Sequence, residues 1–242
     1  MAEVVAAAQV LAQASFVAVL TGAGISAESG IPTFRGPGGL WRSYRPEDLA
    51  TPQAFARDPW LVWEWYAWRQ GLVAAAEPNA GHRALVDLER AKTVTLVTQN
   101  VDGLHARAGS TEPIELHGSL WRVRCTECEA ERAIDEPIEG LPICAACGAL
   151  ERPGVVWFGE SLPDEPFELA IQAVMRSQVV LVVGTSGVVQ PAASLVEMGR
   201  ARGATVIEVN PEATPGGRNR IALAGTAGEV LPALVKLATR AE

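Results

Sequence analysis

Three groups of residues in this chain have types and spacings that could do chemistry: a cysteine quartet, a glycine turn, and three histidines. Cys125 and Cys128 are separated by two residues, as are Cys144 and Cys147, and fifteen residues lie between the pairs. Two such knuckles can present four thiolates tetrahedrally to one Zn²⁺. With sulfur filling every position there is no open site for water, so the metal's role is structural. Disulfides or a redox pair are the competing reading, and they fit poorly in a reducing compartment. No cysteine remains to act as a nucleophile.

Gly22-Ala23-Gly24 follows an apolar run and fits the turn that lets a backbone approach a pyrophosphate near a helix start. On spacing alone, a tight strand-to-helix turn without a ligand is the alternative. A dehydrogenase would carry an acidic residue about 20 positions later, at the end of a second strand. The comparable residues here are Glu47 and Asp48, in a Pro- and Arg-bearing stretch that does not read as a strand. That departure counts against hydride transfer. Of the histidines, His82, His105 and His117, the last stands just before the cysteine module. An imidazole suits general base work near neutral pH, although a lone histidine is more often a core or surface residue.

These residues need a frame to hold them. Four runs, FVAVLTGAG, TVTLVTQN, VVLVVGTS and ATVIEVNP, read as short β-rich segments that end in small or polar residues. Segments with helical spacing, 166–176 and 192–202, lie between some of them. The pattern predicts an α/β fold with a Rossmann-like parallel sheet, its ligand crevice at the carboxyl ends of the strands. Two stretches break the alternation and read as insertions: a helical and loop segment at 37–78, and the four-cysteine module at 125–147. The whole of 1–242 reads as one catalytic domain carrying both. A net charge of -8 gives no footprint for nucleic acid. The apolar N-terminal stretch lacks a basic lead, is broken by Gln9, Gln13 and Ser15, and runs into the glycine turn. It fits a helix and a buried strand better than a signal peptide or membrane span, which implies a cytoplasmic protein.

Six motifs occur in order: the glycine segment 22–35, residues 98–102 (TQNVD), 116–118 (LHG), the cysteine quartet, 155–160 (VVWFGE) and 184–186 (GTS). Together they resemble the sirtuins, NAD-dependent protein-lysine deacylases, over nearly the whole chain. The resemblance implies that NAD is a consumed co-substrate, that nicotinamide is released, and that the acyl group leaves as O-acyl-ADP-ribose. It makes His117 the general base and sets Asn100 and Asp102 at the nicotinamide and ribose. Gly22, Ala23, Gly24, Phe34, Arg35, Gln99, Gly184, Thr185, Ser186 and Asn210 then hold the dinucleotide. Val156, Trp157, Phe158, Gly159 and Glu160 match the segment that pairs with an acyl-lysine peptide.

The resemblance reaches the acyl group as well. Tyr66 and Arg69 match the Tyr-x-x-Arg pair of sirtuins that remove succinyl or malonyl groups, and their spacing lets both project from one helix face. A guanidinium beside a phenol suits a carboxylate. Ala27 is small enough for a roomier pocket, and Thr33 in place of Asp resembles the same branch. Trp60, Trp63, Trp65 and Trp68 share the segment, so packing is the alternative role for Tyr66. Two other functions would use the same nicotinamide site: NAD-dependent protein mono-ADP-ribosylation, and noncatalytic NAD binding in an interaction module. Products tell the three apart.

Overall fold

A computed structural model describes residues 2–33, 44–185, 187–213 and 219–240 of the chain. In order these form α1 (Ala2–Gln13), β1 (Phe16–Thr21), a 3-10 turn (Ala23–Ser29), α2 (Pro46–Leu49), α3 (Pro52–Arg57), α4 (Pro59–Ala75) and α5 (Ala80–Ala91). Then come β2 (Thr93–Thr98), α6 (Leu104–Ala108), β3 (Ile114–Glu115), β4 (Gly118–Cys125), β5 (Glu131–Ala133) and β6 (Glu151–Val155). The chain continues with α7 (Asp164–Arg176), β7 (Val179–Val183), α8 (Ser194–Ala201), β8 (Thr205–Asn210), β9 (Arg220–Ala224) and α9 (Ala227–Ala238).

Six strands form one parallel sheet in the order β3-β2-β1-β7-β8-β9. All five residues of β7 are buried, as a central strand covered on both faces requires. Alternate residues supply two cores. Val17, Val19, Leu181 and Ile207 pack on one face with Leu11, Leu85 and Leu231 of α1, α5 and α9. Ala18, Leu20, Val180 and Val206 pack on the other with Val174 of α7 and Leu195 of α8. Chain order reverses direction between β1 and β7, so the switch-point crevice opens at their carboxyl ends. The four β-rich runs read from sequence are β1, β2, β7 and β8; the short edge strand β3 and β9 carried no comparable signal.

The glycine turn has a second use beyond a ligand. Gly24 N–H donates to the Gly184 carbonyl at 2.8 Å, and a Cβ on Gly24 would lie 2.7 Å from Gly184 Cα. Gly184 itself sits at φ +60°, and its Cβ would meet Ile25 N at 2.5 Å. Backbone touches backbone here, and neither position tolerates a side chain.

The two stretches read as separate insertions combine into one second body. A three-stranded antiparallel sheet, β5-β4-β6, carries the cysteines and spans Gly118 to Val155, beyond 125–147 on both sides. Its Leu120, Val123 and Val155 share a core with Leu49, Phe55, Trp63 and Tyr66 of α2 to α4. Helix α4 starts sharply because Asp58 caps it, accepting from Leu61 N at 3.0 Å, and Pro59 takes the first helical position. Part of the 37–78 segment, through residue 43, lies outside the described residues.

All four cysteines are free thiols, and their sulfurs lie within 4.8 Å of one another. Cys125 and Cys147 sulfurs are 3.4 Å apart and those of Cys128 and Cys144 3.7 Å apart. A tetrahedral Zn²⁺ with bonds of about 2.3 Å would set its sulfurs about 3.8 Å apart. The backbone N–H groups of Cys128 and Glu127 point at Cys125 Sγ, as donors to a metal-bound thiolate would. The quartet therefore fits one structural zinc.

Two consequences are measurable. Gly184→Ala should destabilise the protein by about 2 kcal/mol or more, because both its φ and its space are forbidden to a side chain. Gly71, exposed within α4 with no atom near its missing Cβ, should show the opposite sign. Gly71→Ala should stabilise by about 0.5–1 kcal/mol. Urea unfolding of both variants checks the pair; equal effects would contradict the account. Stripping zinc with a chelator, verified by elemental analysis, should open the β5-β4-β6 sheet to proteolysis and lower Tm. Unchanged protection in metal-free protein would refute the structural role.

Candidate active site

The carboxyl ends of β1, β2, β7 and β8 bring the polar residues together as two hydrogen-bonded strings. In the first, Asn100 Nδ2 donates to the Gly22 carbonyl at 3.1 Å and contacts Ser26 Oγ at 3.2 Å. Ser26 Oγ donates to Asp102 Oδ2 at 2.8 Å, and Leu104 N–H donates to Asp102 Oδ1 at 2.9 Å. The second runs from His117 Nδ1 to the Gln99 carbonyl at 3.0 Å, from Gln99 Nε2 to Thr185 Oγ1 at 3.2 Å, and from Asn210 Nδ2 to the Thr185 carbonyl at 3.0 Å. Ser26, which ties Asn100 to Asp102, was not singled out from sequence although it lies inside the glycine motif. Its place inside that motif was the sequence signal, and its burial shows only in the structure.

The first string lines a pocket with Ala23, Ile31, Pro32 and Arg69. Asn100, Asp102 and Arg69 are all buried. Burial raises the Asp102 pKa above the usual carboxylate value, against the Leu104 N–H, Ser26 and the Arg69 charge, which lower it. Burial lowers the Arg69 pKa, with Tyr66 and Asp102 opposing. The pocket is thus lined by an amide, a carboxyl group that is costly to ionise, and a guanidinium.

His117 stands at the turn between β3 and β4, half-buried. A carbonyl can only accept, so Nδ1 carries the proton and Nε2 keeps its lone pair. Burial lowers the His117 pKa from 6.5, with the Gln99 bond pulling it back up. The result is a neutral imidazole with its basic nitrogen fixed by tautomer.

The other two histidines are core residues. His82 and His105 are 0% and 2% exposed, and burial pushes their pKa values down to about 4 and about 3. His105 Nε2 meets Thr21 Oγ1 at 2.9 Å, Thr21 bonds Thr98 at 2.8 Å, and Thr98 Oγ1 accepts from Asn100 N–H at 3.0 Å. They support the Asn100 loop from behind.

The segment 156–160 is less open than a free strand edge. Val156 N–H donates to the His117 carbonyl and Phe158 N–H to the Ala50 carbonyl, both at 2.9 Å. Trp157 N–H donates to the Glu160 carboxylate at 2.7 Å, and Glu160 N–H donates to the Trp157 carbonyl. Glu160 also takes both guanidinium nitrogens of Arg152. Phe158 and Gly159 face outward; Trp157 turns inward, 3% exposed.

Tyr66 and Arg69 are both buried on α4, but they do different things. Arg69 lines the pocket and stacks over the Trp65 ring at 4.7 Å, whereas Tyr66 OH accepts from Trp157 Nε1 at 2.9 Å. Ala27 is exposed and is not among the residues lining that pocket. Phe34, Arg35 and Ser186 lie outside the described residues. The cysteines belong to the second sheet and take no part in either hydrogen-bonded string.

Comparison with known proteins agrees with this geometry. Residues 22–191 match the model of the Sir2 family. The chain is 54% identical to NAD-dependent protein deacylase 2 of Pyrobaculum aerophilum, over 95% of this chain and 93% of the relative. It is 52% identical to the NAD-dependent protein deacylase of Thermococcus kodakarensis, covering 95% and 93%. Among solved structures, a Sir2 homologue in complex with NAD superposes with a TM-score of 0.89 at 51% identity, over 95% of this chain and 91% of that one. A Sir2 protein bound to a myristoylated histone peptide gives 0.80 at 36% identity, over 98% and 96%. In sequence, in sheet topology and in the residues gathered at its strand ends, this chain belongs to the Sir2 family.

Proposed function

We propose that this protein is an NAD-dependent protein-lysine deacylase that accepts acidic acyl groups, succinyl or malonyl, as well as acetyl. The observation that carries the reading is the pocket in which Arg69 shares a wall with Asn100 and Asp102. Relatives named as NAD-dependent protein deacylases, and Sir2 structures holding acylated-peptide products or substrates, support the chemistry.

NAD supplies, when bound, a glycosidic bond to a positively charged nicotinamide, a good leaving group. Asn100 is placed to offer its amide to the carboxamide, and Asp102 to accept from it. Gly22, Ala23, Gly24, Gly184, Thr185 and Asn210 line the path of the phosphates and adenosine ribose, and Gln99 reaches the ribose hydroxyls. Phe34, Arg35 and Ser186 complete this set by motif. His117 Nε2 takes the proton of a ribose hydroxyl, and its Nδ1 bond to Gln99 keeps the ring in place while it does so.

The peptide lies along 156–160. Peptide binding there uses main-chain contacts. Such contacts read little side-chain sequence. The acyl chain enters toward Arg69, whose planar donors match a carboxylate, and the aromatic stack beneath it holds the guanidinium in register.

His117→Ala should abolish deacylation while NAD binding, measured by calorimetry, persists; normal turnover would remove the assigned base. The base must be neutral and burial favours that form, so the acid limb of kcat/KM should fall below pH 6.5, visible in a pH profile. A limb above 6.5 would contradict it. Arg69→Met should lower the ratio of succinyl to acetyl kcat/KM at least tenfold, read on matched lysine peptides. An unchanged ratio would return Arg69 to packing.

A further inference from the structure

The bond from Trp157 to Tyr66 has a direction that bears on the acyl end of the substrate. An indole N–H can only donate, so the Tyr66 oxygen is the acceptor. The phenol's own proton is not used in that bond. Tyr66 is 2% exposed, and desolvation raises its pKa, so it remains a neutral donor. Arg69, one helical turn further along α4, sets its guanidinium 5.4 Å from the centre of the Tyr66 ring.

The indole cannot easily turn away. Arg152 stacks over it at 3.5 Å, Phe55 packs against it at 5.5 Å, and Glu160 holds its backbone N–H while gripping Arg152. One face of this unit is the peptide segment and the other is the acyl-specificity helix.

We propose that Trp157 is a specificity-determining positioning residue: its indole N–H fixes the Tyr66 hydroxyl as a donor to the carboxylate of an acidic acyl-lysine, beside the Arg69 guanidinium. This rests on the acidic-acyl reading above. The hydroxyl then makes a short charge-assisted bond to a carboxylate, a group that acetyl-lysine lacks. Trp157 touches no substrate carboxylate itself and acts through Tyr66.

The test is steady-state kinetics of the full-length enzyme on matched succinyl-lysine and acetyl-lysine peptides at saturating NAD. Trp157→Phe keeps a ring for Arg152 and Phe55 but removes the N–H. It should raise KM for succinyl peptide about tenfold relative to KM for acetyl peptide on the same variant, with the two kcat values moving together. Tyr66→Phe should give the same ratio, and the double variant no more than either single one. Equal losses on both peptides, or multiplied losses in the double variant, would reduce the bond to core packing. If wild type removes succinyl and Arg69→Met abolishes the preference while Trp157→Phe does not, the acyl reading stands and the Trp157 proposal falls. If wild type does not remove succinyl, both fall. Should Trp157→Phe not fold, the Trp157 indole resonance of ¹⁵N-labelled wild-type protein serves. It should shift with succinyl peptide, not with acetyl peptide; identical shifts would overturn the proposal.

Discussion

At the ends of β1 and β7 two stretches of backbone pass so close that neither can carry a side chain. Gly24 N–H meets the Gly184 carbonyl at 2.8 Å, and Gly184 holds a left-handed φ that glycine adopts without penalty. This contact lies where the parallel sheet reverses its winding. It draws the β1 turn and the β7 loop together, so that Gln99 can reach Thr185 and Asn100 can reach Gly22. The amide, carboxyl and imidazole groups hang from that frame.

A second dependence runs through the body made by α2 to α4 and the β5-β4-β6 sheet. Its aromatic core is continuous, so the four-cysteine site stabilises helix α4 as well as its own strands. Trp63 Nε1 donates to the Glu151 carbonyl at 2.9 Å, which ties the helix to β6, the strand paired with the one that ends at Cys125. Beyond β6 come Arg152's partner Glu160 and the inward Trp157. A structural metal thereby bears on the geometry of residues 156–160 without touching them.

Much of this was legible in the residues. Short β-rich runs ending in small or polar residues gave β1, β2, β7 and β8, and β7, buried on both faces, is apolar throughout. The cysteine spacing gave the metal cluster because two knuckles need little else. What stayed hidden depends on contacts distant in sequence. That the two insertions share a core follows from Trp63 meeting residues some 90 positions away, which no local period reveals. The strands β4 and β6 that flank the cysteine module mix polar and apolar residues and carry little local signal. Tyr66 and Arg69 share a helix face as their spacing required, but the sequence could not show that one bonds Trp157 while the other lines the pocket. Nor could it show that glycines suited to a pyrophosphate would be needed first for each other.

On this reading the crevice consumes NAD to remove an acyl group from lysine, with the acyl group leaving on ADP-ribose. Mass spectrometry of an acyl-lysine peptide incubated with and without NAD tests it most directly. The expected result is deacylated peptide, nicotinamide and O-acyl-ADP-ribose in equal amounts, only when NAD is present. ADP-ribose joined to protein, or bound NAD with the peptide unchanged, would contradict it.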